Sequence, residues 1–300
     1  MKGVVILTKY TDILNDSFEH FYNLKGQAFD IINVAKPDTY EYAEQLVKYI
    51  SKLSPFVGNM LEFSIVDALN NANNYSDCGK WIRQDPGFPD TLFDGDIDLK
   101  PGIELKAWFP LATEITARFK ETLTSFPKES TYVALIAWLP EYIFFGKPKI
   151  IDVWIGTAES IALARDSHYH NPPDYLVLEP EDTSRRTANL QQRNVNGYKF
   201  QGNASDLALA EDLVAAWGTN GKEYSSSIEY QQKLDELKSK FKYRLDTNFA
   251  KIDRIEHTDI ESFKSNVLNT KLHGYTISEW SRIISSNPET LKEFLKKIME

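Results

Sequence analysis

Three apolar runs in the middle of the chain limit its fold more than any other feature. They are residues 103–108 (IELKAW), 131–139 (TYVALIAWL) and 149–155 (KIIDVWI). Each is rich in β-branched and aromatic side chains, which fit a pleated surface, and each has the length of a strand rather than a helix. Shorter strands are predicted at 91–93 and 174–178, and a short buried one at 4–7. A polar connection bearing glycine and proline joins 91–93 to 103–108.

Helical spacing surrounds these strands. Residues 40–53 repeat through Tyr40, Ala43, Leu46, Val47 and Ile50, with Pro55 marking the exit. Residues 59–72 repeat through Met60, Phe63, Ile65, Val66 and Leu69, placing Glu62 in the first turn. Further helices are predicted at 111–124, 157–165, 204–217 and 228–249, the last through Leu234, Leu237, Phe241 and Leu245. Residues 276–299 read as two short helices with Pro288 between them. The expected fold is α/β of the α+β kind: a mixed sheet flanked by helices, with a helical C-terminal part. The expected division is a core at 1–202 and a helical region at 203–300 that dimerises or clamps a ligand.

Composition excludes several classes. With 42% hydrophobic residues, the 300-residue chain can fill a core, so disorder is excluded for most of it. Cys78 is the single cysteine, which rules out an internal disulfide framework and a multi-cysteine zinc site within one chain. A reducing, cytoplasmic compartment is expected. The apolar run at 4–7 is too short for a signal peptide or a membrane span, so no membrane partner is expected. A net charge of -9 opposes a nonspecific nucleic-acid coat. A nucleic-acid partner would need a local basic surface.

Chemistry concentrates at GFPDTLFDGDIDLKPGIELKAW, residues 87–108. Pro89-Asp90 precedes one strand, and Glu104-Leu105-Lys106 lies within the next. Strand side chains alternate, so Glu104 and Lys106 share one face while Ile103, Leu105 and Ala107 share the other. A hairpin-like connection would bring Asp90 beside Glu104. Two hard carboxylates and the Leu105 carbonyl would then suit Mg²⁺, and a water near that ion and Lys106 would be set to attack a phosphodiester. The plainer reading is a solvated edge pair, which contributes little. Asp94, Asp96 and Asp98 begin like a calcium loop, but Leu99 stands where glycine is needed and Leu105 where glutamate is needed. They read as turn formers, with Asp94 the alternative metal ligand should the strand register shift.

This order, PD followed by ExK on the neighbouring strand, resembles the PD-(D/E)xK nuclease superfamily, and in particular type II restriction endonucleases. The resemblance spans roughly residues 62–155. It implies that Asp90 and Glu104 bind the metal, that Lys106 is the catalytic lysine, and that Glu62 is the helix acid many members carry. It further implies a prokaryotic, Mg²⁺-dependent enzyme that cuts double-stranded DNA to 5'-phosphate and 3'-hydroxyl ends. A palindromic site would be cut by a homodimer. Two alternatives stay open: a structure-selective repair or recombination nuclease, and a DNA-binding protein that does not cleave.

The basic surface such a reading needs is residues 183–201 (TSRRTANLQQRNVNGYKFQ). It holds Arg185, Arg186, Arg193 and Lys199 with no acid, among Asn189, Gln191, Gln192, Asn194, Asn196 and Gln201. Arginine can grip guanine, and asparagine or glutamine can grip adenine, through two hydrogen bonds each. The bland reading is a hydrophilic loop. Arg118 and Lys120, on the predicted helix after the ExK strand, are candidate phosphate contacts. His168 and His170 form an H-x-H pair, but the flanking NPP favours a loop over a metal site. No P-loop, G-x-S-x-G or dinucleotide fingerprint is present. If Arg193 reads a base, Arg193→Ala will reduce discrimination among duplex sequences by about 1–3 kcal/mol in competition binding. Equal weakening on all sequences would make it a phosphate contact.

Overall fold

The computed structural model describes residues 2–84, 87–112, 114–121, 123, 126–169, 175–178, 196–217, 227–246 and 250–299. In chain order, the described elements begin with α1 (Lys2–Asn23), α2 (Tyr40–Tyr49), a 3₁₀ turn (Ile50–Leu53) and α3 (Ser54–Ala72). Five strands follow: β1 (Gly79–Arg83), β2 (Thr91–Gly95), β3 (Gly102–Trp108), β4 (Thr131–Pro140) and β5 (Pro148–Thr157). Next come α4 (Ala158–Tyr169), β6 (Tyr175–Leu178), β7 (Asn196–Phe200), α5 (Ala204–Ala215), α6 (Ile228–Lys240) and β8 (Tyr243–Asp246). The chain closes with α7 (Thr258–Asn269), β9 (Lys271–Leu272), β10 (Tyr275–Thr276), α8 (Ile277–Ile284) and α9 (Pro288–Met299).

The described chain forms two compact units. The first comprises residues 1–115, 130–156 and 258–300, and the second 116–129 and 157–257. The boundary expected at 202 falls inside the second unit. The C-terminal part is helical, as anticipated, but α7, α8 and α9 belong to the first unit while α5 and α6 belong to the second.

In the first unit, β1 to β5 make a mixed sheet in sequence order, flanked by helices. β1 and β2 pair antiparallel from Gly79↔Gly95 to Arg83↔Thr91. β2 and β3 pair antiparallel through Thr91↔Ile103 and Leu92↔Gly102. β3 and β4 are parallel along seven residues, Gly102↔Thr131 to Trp108↔Ala137. Along β4 every side chain but that of Tyr132 is buried. Burial on both faces explains why this strand is a continuous apolar run and not an alternating one.

α2, the 3₁₀ turn and α3 follow one another without leaving right-handed backbone angles. Pro55 has no N–H to give the Ser51 carbonyl four residues back. The backbone tightens there instead, and the Ser54 N–H donates to the Ser51 carbonyl. Pro55 therefore sits in the first turn of α3, where its missing donor is harmless. It begins a helix rather than closing one, and Glu62 lies two turns into α3 instead of in its first turn.

α3 buries Val57, Gly58, Leu61, Ile65, Val66 and Leu69. Leu61, Ile65 and Leu69 are each worth about 1.5–3 kcal/mol of burial, more than the ~1 kcal/mol of a single hydrogen bond. The helix reaches β3 closely at Gly58, where an added Cβ would lie 3.3 Å from Ala107 Cβ. At its C-terminal end, the Asn70 amide accepts from the Trp81 N–H and donates to the Trp81 carbonyl, both at 2.8 Å. Asn73 donates to the Gly79 carbonyl at 3.0 Å. α7 packs Phe263 against Trp108 of β3, with ring centroids 5.9 Å apart.

Four expectations are corrected. Residues 4–7 belong to α1, whose apolar spacing continues through buried Tyr10, Ile13, Leu14 and Phe21, a 3.6-residue period that outweighs four residues of strand propensity. Described residues within 111–124 form no helix: Phe119 pairs its N–H with the Ala250 carbonyl, and Arg118 bridges Lys251 in extended backbone. The helix predicted at 228–249 stops at Lys240, and Tyr243–Asp246 is a strand paired with β7. His168 falls in α4 and not in a loop, while His170 lies outside the described residues.

The second unit pairs β6, β7 and β8 antiparallel around β7. α5 and α6 cover a core of Leu176, Ala210, Val214, Tyr230, Leu234 and Leu237. Arg165 of α4 is fully buried, donating to Asp166 and to the Phe119 carbonyl.

Gly58→Val would force two methyl groups into the approach of α3 to β3. It is expected to lower unfolding free energy by about 1–3 kcal/mol in denaturant titration. An unchanged midpoint would mean the helix yields without loss.

Candidate active site

The PD and ExK segments meet where β2 and β3 part. The antiparallel register runs from Leu92↔Gly102 to Thr91↔Ile103. One step further, Asp90 stands opposite Glu104, and side chains replace the backbone ladder. The Asp90 N–H donates to Glu104 Oε2 at 3.1 Å, and the Leu105 N–H donates to Asp90 Oδ2 at 2.8 Å. The Glu104 carboxylate thus holds the main chain of Asp90, and the Asp90 carboxylate holds that of Leu105.

The turn that delivers Asp90 is fixed from the other side by Gln84. Its side chain donates to the Pro89 carbonyl at 2.9 Å, and its main-chain N–H donates to the Asp90 carbonyl at 2.8 Å. The Pro89 ring lies over Gly102, where a Cβ would sit 2.5 Å from Pro89 Cγ. Glycine at that position is what allows the turn to close on β3. Gln84 was not singled out in the sequence, because a lone glutamine after an unrecognised strand carries no pattern.

Lys106 completes the group. Its ammonium is hydrogen-bonded to Glu104 Oε1 and lies 3.8 Å from Asp90 Oδ2. Burial disfavours the charged form of Lys106, but Glu104, Asp90, the hydrogen bond to Glu104 and Glu62 together outweigh it. Its pKa is held above the ordinary lysine range. The ion pair therefore contributes fully below that range and fades only as pH rises past it. Lys106 is a donor and a fixed positive charge at neutral pH.

Glu62 approaches from α3, one turn beyond the close contact at Gly58. It lies 3.9 Å from Arg83 Nη2, and the Arg83 guanidinium sits 3.4 Å from the centre of the Phe63 ring. Asp90, Glu104 and Glu62 thus face Lys106 and Arg83, leaving one net negative charge in a part-buried setting. Asp94 lies further along β2, with its side chain about half exposed and paired to Lys100 at 3.0 Å. The register brings Asp90, and not Asp94, to Glu104.

Among the described residues, no three or more His, Cys, Asp or Glu side chains are grouped to hold a metal. A divalent hard cation would instead draw on two carboxylates and a main-chain oxygen. In a strand the N–H and C=O of one residue point to the same side, so the Leu105 carbonyl faces the side on which its N–H meets Asp90. The ammonium of Lys106 already bridges Asp90 and Glu104. This donor set fits Mg²⁺ in charge and hardness.

The residues expected to read DNA are only partly placed. Arg185, Arg186, Asn189, Gln191, Gln192, Arg193 and Asn194 lie outside the described residues. Asn196 and Lys199 belong to β7, with Lys199 exposed between Tyr175 and Arg244 in the register. Arg118 and Lys120 lie in the extended segment of the second unit and not on a helix. No helix among the described residues is long and apolar enough to cross a membrane.

Lys106→Gln would leave two adjacent carboxylates without their shared cation. Thermal or denaturant unfolding should show a loss of about 1–3 kcal/mol at neutral pH, shrinking as pH is raised past the lysine range, where the wild-type ammonium gives up its charge. A loss independent of pH would mean that packing, not charge, is what Lys106 supplies.

Comparison of the chain with protein-family models, with curated proteins and with solved structures returns no match in any of the three.

Proposed function

We propose that this protein is a Mg²⁺-dependent, sequence-specific endonuclease for double-stranded DNA, of the PD-(D/E)xK type and working as a homodimer. The observation that carries the reading is the bonded group of Asp90, Glu104, Leu105 and Lys106 where β2 leaves β3. Isolated PD and ExK dipeptide patterns are common. A chance pair on two strands has no reason to meet in register with each carboxylate bound to the main chain of the opposite strand.

In this reading Asp90, Glu104 and the Leu105 carbonyl hold the metal. Bound there, Mg²⁺ would supply an acidified water and offset charge on the scissile phosphate. Lys106 would stand beside that water as a hydrogen-bond donor and positive charge. It orients that water through its N–H donors and stabilises the charge that develops on phosphate oxygens. Glu62 adds negative charge near Lys106 from α3 and pairs there with Arg83 of β1. Hydrolysis would leave 5'-phosphate and 3'-hydroxyl ends. The arginine, asparagine and glutamine residues of 183–201 are assigned to DNA contact.

Incubation with plasmid DNA and Mg²⁺, followed by sequencing of the ends, tests this directly. Discrete fragments are expected. Asp90→Ala and Lys106→Ala should each lower cleavage by about 10²-fold or more, with duplex binding in Ca²⁺ largely retained. Full cutting by either variant would overturn the site. Structure-dependent nicking would favour a repair or recombination nuclease, and specific binding without any cleavage would favour a DNA-binding protein.

A further inference from the structure

Because α6 stops at Lys240 and β8 takes its place, cations from two distant parts of the chain come together in the second unit. The β7–β8 register sets Lys199 opposite Arg244 and Phe200 opposite Tyr243. One step beyond the ladder Gln201 meets Lys242, donating its main-chain N–H to the Lys242 carbonyl at 2.7 Å. Opposite residues on antiparallel strands project from one face, and so do residues two apart along a strand. Tyr198, Phe200 and Tyr243 take the face that packs on the core under α5 and α6. Lys199 and Arg244 therefore take the other face, and Gln201 and Lys242 continue it; all four residues are exposed. On a helix Lys242 and Arg244 would lie about 200° apart, so the strand is what aligns them.

Such an arrangement weakens the free sheet, because like charges directly opposite one another on paired strands repel. Among the described residues no carboxylate is paired with Lys199, Lys242 or Arg244. The whole chain carries a net charge of -9, so three uncompensated cations on one face are not a sample of its average surface. The basic stretch ends where Asp246 stands opposite Gly197. A polyanion laid on this face would remove the repulsion. Spacing favours a phosphate backbone: residues two apart on a strand are separated by ~6.8 Å, the rise of two phosphates along one DNA strand. In sequence, β7 is entered directly from the stretch that holds Arg185, Arg186 and Arg193.

We propose that this face of the three-stranded sheet, at Lys199, Lys242 and Arg244, holds the phosphates of duplex DNA. Lys242 and Arg244 thereby join the DNA contacts from a part of the chain more than forty residues beyond the stretch assigned to them. The need for a polyanion follows from the charges, and the choice of duplex DNA rests on the nuclease reading.

Fluorescence anisotropy of the full chain with a labelled duplex in Ca²⁺, over a range of salt, tests it. Each phosphate contact contributes about 0.9 to the slope of log affinity against log salt. Lys199→Ala, Lys242→Ala and Arg244→Ala should each reduce that slope by about one and weaken binding alike on unrelated sequences. Arg244→Lys should keep the slope. Arg244→Glu, which gives Lys199 a carboxylate opposite it, should weaken duplex binding by about tenfold or more while its unfolding midpoint stays at or above that of the wild type. A merely structural arginine would lose binding and stability together. No duplex binding by the wild type, an unaltered slope in the three alanine variants, or a lowered Arg244→Glu midpoint would overturn the proposal. So would binding to phosphatidylserine vesicles that depends on these cations while duplex binding does not. Plasmid cleavage in Mg²⁺ is scored separately. Slopes that fall as expected in a protein that does not cut leave this surface standing and sink the nuclease reading, and normal cutting with unaltered slopes does the reverse.

Discussion

The parallel pairing of β3 with β4 governs the first unit. Seven residues of each strand are matched, and parallel neighbours cannot be joined by a tight turn. The chain must leave the sheet at Phe109 and return at Ser130, and much of that excursion, residues 116–129, belongs to the second unit. With β4 buried on both faces, helices must cover the sheet, and α3 and α7 meet β3 to do so. The site follows from the same pairing. β3 is held by β4 along its whole length, so it stays straight where β2 turns away, and the gap at Asp90 and Glu104 is where polar groups can gather.

That gap uses polarity economically. Two main-chain N–H groups freed by the end of a ladder are satisfied by the acids that would do the chemistry, and a lysine two residues on offsets part of their charge. Buried carboxylates without such partners would be costly. The chemistry proposed for this site would draw on the same atoms as its stability. The price is that any variant removing one charge also disturbs the fold around it, so activity and stability have to be measured side by side.

Much of this was legible in the chain, for identifiable reasons. β3, β4 and β5 announced themselves because β-branched, aromatic and other apolar residues fill most of their positions, and the α3 stripe showed a clear helical period. Asp90, Glu104 and Lys106 were legible because strand alternation fixes which residues share a face. Other parts were not. β1 (GKWIR) is short, mixed and half-buried, so it carries no period, and with it Gln84 and Arg83 went unnoticed. The segment after β3 contains Ile115, Phe119 and Phe126, all buried, at spacings that imitate a helix while the backbone is extended against Ala250. At the other end, residues 4–7 have strand composition, but a helix that continues for four more turns decides their conformation. Pro55 misled for a different reason: proline closes one helix and opens the next equally well, and only the residues on both sides tell which.

The Asn70 amide grips both polar groups of Trp81 on β1, the outermost strand of the five-stranded sheet, and Asn73 holds the Gly79 carbonyl. An outermost strand normally offers a row of free donors and acceptors to any passing extended segment. Here a helix has filled those places with side-chain amides that imitate a sixth strand without providing one. Growth by strand addition is blocked along that margin, so self-association there cannot proceed sheet to sheet.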